Sequence, residues 1–333
     1  MPELRRDPIV GRWVIFASDG ARRFEPAAPS REAAPTPEGC PFCEGNEART
    51  PRELFAFRAA GSAADAPGWR VRVVPHRFPT LRVEGDLEHR ADGIYDAMNG
   101  IGAHEVIVET PRHVVTPAAL EPASIEEGLL AARERMADLR RDGRLVYPAL
   151  FRSVGAAAGA LATHALSQLI VSPVVPAGAE RLISGALAYM GYRGRCAFCD
   201  IVREELRTRS RLVAENDGFV AVVPYAARFP FETWVIPRRH AAHFESIERD
   251  RAGDLAAILL ALFRGLDEAL DEPAFNTLLQ TAPFTLGDAP HYHWHVEITP
   301  RLLVPSGFEW GTGFHVNPVL PEEAAAALRE ALE

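Results

Sequence analysis

The sequence predicts an α+β fold built from two tandem copies of one domain. The chain has 333 residues, which at about 150 residues per domain corresponds to two domains. The same order of motifs runs through it twice, and each run combines strand patterns with one long amphipathic helix pattern. We therefore expect two domains, residues 1–190 and 191–333, each a mainly antiparallel sheet crossed by one long helix.

The repeat is carried by a cysteine pair, a segment ending in Phe-Pro, a strand ending near a histidine, a helix and a second histidine. In the first copy these are Cys40 and Cys43, Val74–Pro79, Glu105–His113, and His164. In the second copy they are Cys196 and Cys199, Val223–Pro230, Glu232–His240, and His293. The spacings between markers differ, so we expect the elements to correspond while the loops vary.

The elements follow from local patterns. Ser124 opens a capping-box spacing, and apolar residues at helical intervals extend a predicted helix to about residue 141. Its counterpart is predicted from about residue 250 to 270. Alternating or β-branched runs predict strands at 71–74, 105–109, 149–154, 167–172, 219–223, 233–236, 275–281 and 294–300.

The composition is that of a globular protein and argues against two kinds of partner. Hydrophobic residues make up 47% of the chain, and the formal net charge is −9, the opposite of a general nucleic-acid binder. The apolar runs fall short of the roughly 20 residues that a membrane span needs. Residues 1–6 are charged and lead into no apolar segment. We expect a cytoplasmic protein with no nucleic acid or membrane partner.

Four cysteines are too few for a disulfide scaffold, and they form two Cys-x-x-Cys pairs. In a reducing compartment such pairs are typical of metal or redox sites. The first follows a Pro-rich stretch and is predicted to lie in a loop, and neither is expected to follow a strand and open a helix as in thioredoxin-like proteins. The pattern therefore favours metal over redox chemistry.

Each repeat supplies two cysteines and two histidines, which is a complete tetrahedral zinc set. The sets are Cys40, Cys43, His113 and His164, and Cys196, Cys199, His240 and His293. Because such a set leaves no open coordination position, both sites are predicted to be structural. For each histidine the alternative is a surface or hydrogen-bonded residue without a metal.

The strand pattern near residue 295 concentrates imidazoles on one face. Residues two apart share a face, so His291, His293, His295 and Glu297 are expected to point one way and the residues between them the other. That row suits metal ligation or a nucleophilic histidine. The corresponding row of the first repeat reads His164, Leu166 and Gln168, with an apolar residue in the middle.

Motifs along nearly the whole chain occur in an order that identifies a family. They are Arg6–Val14, Cys40–Cys43, Arg77–Pro79, His104–Glu109, Gly155–Gly159, His164 with Gln168, Phe229–Glu232, His293–Glu297 and Gly307–Gly313. In this order they resemble the galactose-1-phosphate uridylyltransferase and ADP-glucose phosphorylase family of the histidine-triad superfamily. The resemblance implies two histidine-triad-like domains.

The resemblance also implies a chemistry. A histidine attacks the α-phosphorus of a nucleotide sugar, forms a nucleotidyl-histidine and passes the nucleotidyl group to a second sugar phosphate. Carried over by position, His164 is a metal ligand and Gln168 a phosphate contact. The other implied or expected substrate contacts are Arg22, Arg77, Ser153, Phe308 and Glu309. The resemblance further implies a homodimer, nucleotide sugar and sugar phosphate as partners, and a second metal that is zinc or iron.

Four positions depart from the family pattern. The nucleophile position holds Leu166, which offers no lone pair to phosphorus. Ser153 replaces an asparagine, Leu161 a phosphate-binding serine, and His76 an asparagine. Because the metal ligands, Phe308 and Glu309 are retained, the pattern indicates a remodelled nucleotide site.

Three hypotheses follow. The first is the family's nucleotidyl transfer or phosphorolysis, with His76 or His295 replacing the missing nucleophile. His295 has the alternative role of a residue of the second metal centre. The second hypothesis is a diverged enzyme acting on another nucleotide or phosphorylated metabolite. The third is a non-catalytic zinc protein that binds a nucleotide sugar or a partner.

Overall fold

The structure is a computed structural model that describes residues 2–17, 38–160 and 162–333. Its strands are β1 Glu3–Arg6, β2 Trp13–Phe16, β3 Phe55–Arg58, β4 Trp69–Pro75, β5 Arg90–Asp92, β6 Tyr95–Ala97, β7 Ala103–Val108, β8 Tyr147–Val154, β9 Leu166–Ser172, β10 Leu212–Glu215, β11 Phe219–Val222, β12 Thr233–Pro237, β13 Phe275–Gln280, β14 His295–Pro300 and β15 His315–Asn317. Its α-helices are α1 Pro122–Leu139, α2 Ala177–Arg193, α3 Ala197–Thr208, α4 Arg249–Leu270, α5 Gly307–Thr312 and α6 Pro321–Glu330.

One large antiparallel sheet organises the described residues. Its 10 strands lie in the order β10-β11-β12-β14-β13-β8-β9-β7-β4-β3. Each half contributes five neighbouring strands, arranged as β3-β4-β7-β9-β8 and β10-β11-β12-β14-β13. Helix α1 connects β7 to β8, and α4 connects β12 to β13, so the halves share one topology. The α+β class and the internal duplication predicted from the sequence are confirmed.

Helices α1 and α4 cover one face of this sheet. Leu130 and Met136 of α1 and Leu259 of α4 are buried there against Ile107 and Leu169 of the strands. Along each strand the intervening side chains point to the opposite face. We call that opposite face the site face, because it carries Leu166 and Gln168.

The site face is covered differently in the two halves. In the second half, α2, α3 and the opening segment pack on it, with Ile9, Ala186 and Phe198 buried against Trp234. In the first half it carries a small apolar cluster of Trp69, Val74, Val106 and Val108, which Leu166 joins as a partly buried member.

Several elements differ from the sequence prediction. Helix α1 begins at Pro122, before Ser124, because proline fits the first helical position, where its missing N–H is not needed. Helices α2 and α3 and the edge strands β3 and β10 were not predicted. His291 and His293 precede β14 instead of lying in it, and both are buried, as are Tyr292 and Trp294.

The chain ends meet in a second, smaller sheet. Strand β2 pairs with β1 on one side and, in parallel, with β15 on the other. The expected division between residues 190 and 191 falls in the last turn of α2, and it stays a prediction. Among the described helices, none has the length and apolarity to cross a membrane.

Asp267 makes the stability of the fold depend on pH. Burial in the last turn of α4 raises the pKa of this carboxyl to about 6, and Thr116 donates a hydrogen bond of 3.3 Å to it. Because its folded-state pKa lies above the unfolded value, stability falls as the pH rises from about 4 to about 6. We expect Asp267→Asn, which keeps the acceptor, to stabilise the protein at pH 7 by on the order of 1 kcal/mol.

Thermal unfolding of both proteins at pH 4 and pH 7 measures this effect. The gain should be present at pH 7 and absent at pH 4, where the aspartate is already protonated. An equal gain at both pH values would show that the charge of Asp267 is not its cause.

Candidate active site and metal centres

The first cysteine and histidine set converges at one end of the first half-sheet. Cys40 and Cys43 lie in a loop, His113 follows β7, and His164 precedes β9. The Cys40 Sγ to His164 Nδ1 distance is 3.5 Å, and the Cys43 Sγ to His113 Nδ1 distance is 3.3 Å. All four ligand atoms lie within 4.8 Å of one another.

The second set converges in the same way. Cys199 Sγ lies 3.6 Å from Nδ1 of His240 and 3.6 Å from Nδ1 of His293, and Cys196 completes the group. A tetrahedral ion bound at the usual zinc distances holds its sulfur and nitrogen ligands about 3.6 Å apart. Both sets therefore have the donor atoms and the spacing of a closed Cys₂His₂ metal site.

The surroundings of His164 favour the tautomer and the neutral form of the ring that bind a metal. Its Nε2–H donates to the Thr110 carbonyl at 2.9 Å, which leaves the Nδ1 lone pair directed at the cysteines. Burial lowers the pKa of His164 to about 4, so the imidazole is neutral at pH 7. A neutral imidazole is the form that binds metal.

The second cysteine pair corrects one expectation. Cys196 is the N-cap of α3, so this pair does open a helix, although it follows α2 and not a strand. Helix α3 was not predicted from the sequence, because the Cys196–Cys199 motif was interpreted only as part of a metal site. The strongly one-sided apolar pattern of residues 197–208 would have revealed it.

Leu166 stands where the sequence placed it, on the site face at the start of β9. Its cross-strand neighbour on β7 is Val108, and it packs in the apolar cluster of the first half. No polar atom of residue 166 is available there for attack on phosphorus.

Gln168 lies one step further along the same face and is held by a histidine. His104 Nδ1 accepts a hydrogen bond from the Thr80 backbone N–H at 3.2 Å, so its Nε2 carries the proton. That Nε2–H donates to Gln168 Oε1 at 2.9 Å. Among the described residues none accepts a hydrogen bond from the Gln168 amide nitrogen, so both of its protons can point at a phosphate.

His104 belongs to one of the family motifs, but the sequence alone predicts no role for it. Its partner in the site is 64 residues away in sequence. The available signal was a polar residue near the start of a strand that is otherwise mostly apolar. Burial lowers the pKa of His104, which keeps the ring neutral and able to donate from one nitrogen.

His76 lies beside this pair. Its ring stacks on that of His104 with centroids 4.1 Å apart and planes within 6°. Its Nδ1 lies 2.8 Å from the Phe78 carbonyl and 3.1 Å from the Phe78 backbone nitrogen, so both of these contacts hold the ring at Nδ1. The side chain is partly exposed. The structure thus brings His76, His104 and Gln168 together.

His295 is in a very different environment. It is completely buried, with its ring 4.6 Å from Phe198 and 5.2 Å from Trp234, and its Nε2 is 3.6 Å from Glu297. The second half therefore fills the position that corresponds to Leu166 with packed side chains. A ring without an exposed atom has no path to a substrate, so this geometry does not support His295 as the nucleophile.

The buried charges around His295 compensate one another. Arg228 donates to Glu232 and to Glu297 at 2.6 Å each. Burial alone would raise the pKa of Glu297, but Arg228 and His295 together outweigh burial and hold that pKa well below the usual range. We interpret this network of buried charges as structural, because it links the strands of the second half to one another.

The remaining expected substrate contacts are scattered. Arg77 is exposed and lines a surface cleft with Gly39, Pro41 and Arg49. Phe308 is 48% exposed on α5, and the Glu309 carboxylate accepts backbone N–H groups of Ser306 and Val316. Described contacts do not join these residues to Gln168. Arg22 and Leu161 lie outside the described residues.

Ser153 is the last residue but one of β8, just before the glycine loop. Gly155 and Gly159 both have positive φ, and the loop between them is a short 3₁₀ turn of mostly exposed alanines. A Cβ at Gly155 would meet the Cβ of Ala274 at 2.8 Å, so glycine is needed where the loop crosses β13.

Comparisons with known proteins agree with this architecture. Residues 186–330 match the family described as galactose-1-phosphate uridyl transferase, C-terminal domain. ADP-glucose phosphorylase from Arabidopsis thaliana is 33% identical over 99% of this chain and 93% of that protein. Galactose-1-phosphate uridylyltransferase from Thermotoga maritima is 27% identical over 99% of this chain and 98% of that protein.

A solved structure shows the same fold. The crystal structure of an ADP-glucose phosphorylase from Arabidopsis thaliana with bound ADP-glucose superposes with a TM-score of 0.83, at 32% identity over 99% of this chain and 98% of that one. The duplicated half-sheet and the similarity over nearly the whole chain define a nucleotidyltransferase-type protein. This chain belongs to the galactose-1-phosphate uridylyltransferase and ADP-glucose phosphorylase family, as the sequence motifs predicted.

The two clusters predict two independent metal sites. Cys43→Ser should remove the ion of the first half and Cys199→Ser that of the second, because each serine replaces one of four donors. Metal content per chain, measured by inductively coupled plasma mass spectrometry, should fall by half in each variant. His243→Ala, a change outside both clusters, should keep both ions. Full metal content in either cysteine variant would contradict the assignment.

Proposed function

We propose that this protein is a nucleotidyltransferase that acts on nucleotide sugars through a remodelled site. Its relatives are named for ADP-glucose and for galactose 1-phosphate, so the substrate class is a nucleotide sugar with a phosphate or sugar phosphate as acceptor. The observation that carries the proposal is the preorganised Gln168, whose amide is fixed by His104 with its donors free. A phosphate that accepts hydrogen bonds from Gln168 would lie beside His76, whose ring stacks on that of His104.

In this proposal His76 is the nucleophile. Its Nε2 lone pair attacks the α-phosphorus and forms an N–P bond, while the bond from phosphorus to the bridging oxygen breaks. The sugar phosphate leaves with the electron pair. An acceptor phosphate then attacks the same phosphorus and releases His76.

The neighbours of His76 suit this role. The contacts of Nδ1 with the carbonyl and the N–H of Phe78 fix the ring. The nucleophile in this proposal is the tautomer in which Nδ1–H donates to the carbonyl and Nε2 is unprotonated. Gln168 stabilises the negative charge that develops on the phosphoryl oxygens. The exposed Arg77 next to His76 adds a positive charge in a chain of net charge −9.

We propose zinc at both metal sites. Both sets pair two thiolates with two imidazoles, a donor combination that suits zinc, and the second gives no reason to prefer iron. When bound, zinc would tie the loop of Cys40 and the start of α3 to the sheet and contribute to folding. The homodimer and the cytoplasmic location are further proposals that rest on the family resemblance.

The covalent intermediate is directly testable. Purified protein incubated with ADP-glucose or UDP-glucose should gain one nucleotidyl mass in intact-protein mass spectrometry. The sample is kept at neutral pH, because the N–P bond of a phosphohistidine is acid-labile. His76→Asn, the residue that the family resemblance implies here, should abolish the adduct.

Two matched variants make the result decisive. His89→Ala changes an exposed histidine outside the site and should leave the adduct intact. His295→Ala should also leave it intact, provided that the variant folds as judged by circular dichroism. An adduct that persists in His76→Asn would contradict the assignment of the nucleophile.

A second candidate function is a non-catalytic protein that binds nucleotide sugars. The observation that favours it is Leu166, which is embedded in apolar side chains at the family's nucleophile position. Absence of an adduct, together with measured binding of the nucleotide sugar, would select this function over the first.

Restoring the missing imidazole tests how much of the site survives. If nucleotide sugars bind in the orientation implied by the family, Leu166→His should raise the rate of adduct formation about 100-fold. That factor is the scale of a positioned catalytic group. Leu166→Gln, polar but not nucleophilic, controls for the loss of packing. No gain with histidine would show that the phosphorus does not reach residue 166.

A further inference from the structure

The central strand pair brings a polar side chain of the second half to the glycine loop of the first. Asn276 on β13 lies directly opposite Ser153 on β8. Its Nδ2 donates to Ser153 Oγ and to the Ala158 carbonyl, both at 2.9 Å. Asn276 therefore fixes the loop from outside its own half of the chain.

Asn276 also holds an arginine. Arg301 follows β14, and its Nε donates to Asn276 Oδ1 at 2.6 Å, while its backbone N–H donates to the Ala274 carbonyl at 2.7 Å. The guanidinium carbon lies 5.4 Å from the centre of the Phe229 ring. The side chain is therefore fixed at its base.

The charge of Arg301 has no paired carboxylate among the described residues. The positive charge of Arg228 and the negative charge of Glu232 both act on it at longer range, but Glu232 is already paired with Arg228. Its Nη1 and Nη2 make no hydrogen bond to any described group. A partly buried guanidinium with two free donors is a binding group for an anion.

The sheet register places Asn276, which holds this guanidinium, two strands away from Leu166 and Gln168. Ser153 and Asn276 face each other on adjacent strands, and β9 with Leu166 and Gln168 lies on the other side of β8. At about 4.8 Å per strand, Asn276 is about 10 Å from the row of Leu166. A nucleotide diphosphate is long enough to cover this distance.

We propose that Arg301 is a phosphate-binding residue of the nucleotide site, contributed by the second half of the chain and positioned by Asn276. This rests on the proposed function in one respect, the identity of the ligand as a nucleotide sugar. Arg301 supplies positive charge to a site in which residue 166 is apolar. Its planar fork can contact two oxygens of one phosphate.

Equilibrium binding tests the proposal without requiring catalysis. Isothermal titration calorimetry would measure the dissociation constants of ADP-glucose, UDP-glucose, ADP and adenosine for the whole protein. Arg301→Gln should weaken binding of the better nucleotide sugar and of ADP at least tenfold and leave adenosine unchanged. The wild-type affinity should also fall more steeply with salt than that of the variant.

Two further variants separate charge from structure. Arg301→Lys keeps the charge without the fork and should lie between wild type and Arg301→Gln. Arg181→Gln removes an exposed arginine of α2 and should bind all four ligands like wild type. Thermal unfolding of each variant establishes that it is folded.

The possible results are distinct. Unchanged nucleotide binding in Arg301→Gln, an equal loss for adenosine, or no binding of any phosphate-bearing probe to wild type would each overturn the proposal. A missing covalent adduct would overturn the nucleophilic role of His76 and leave the binding result for Arg301 intact.

Discussion

The pairing of β8 with β13 is the constraint on which the rest of the molecule depends. Five cross-strand pairs, from Phe275 with Val154 to Leu279 with Leu150, join two five-stranded half-sheets into one. The same pairing lays Asn276 against Ser153 and passes the glycine loop over β13. The nucleotide site that we propose would thus be assembled across a junction between two copies of one domain, with residues from both.

On the helical face of the sheet, a buried ion pair links β8 and β9 to the first metal centre. Arg152 of β8 donates to both carboxylate oxygens of Glu109 and to Ser167 of β9, all on the helical face. Glu109 is followed by Thr110, whose carbonyl orients the metal ligand His164. Breaking such a pair leaves an uncompensated buried charge, so the metal loop, β8 and β9 are held in one fixed relation.

Much of this architecture can be predicted from the sequence, because long amphipathic helices and half-buried strands have strongly periodic patterns of apolar residues. Helices α1 and α4 and the eight predicted strands lie within a few residues of their expected places. The ligand sets were predicted because metal chemistry restricts residue type and spacing. His104 and Arg301 were not given roles, since their value comes from partners 64 and 25 residues away that only the sheet register brings into contact.

The merged sheet also has a consequence for how the chain can be divided. A fragment that ended after the first half would leave β8 with a row of unpaired backbone N–H and C=O groups at a flat, long strand edge. Such an edge is a template for pairing with other chains, including a second copy of the fragment. In the whole chain each half covers the exposed edge of the other, so we expect either half expressed alone to be prone to aggregation.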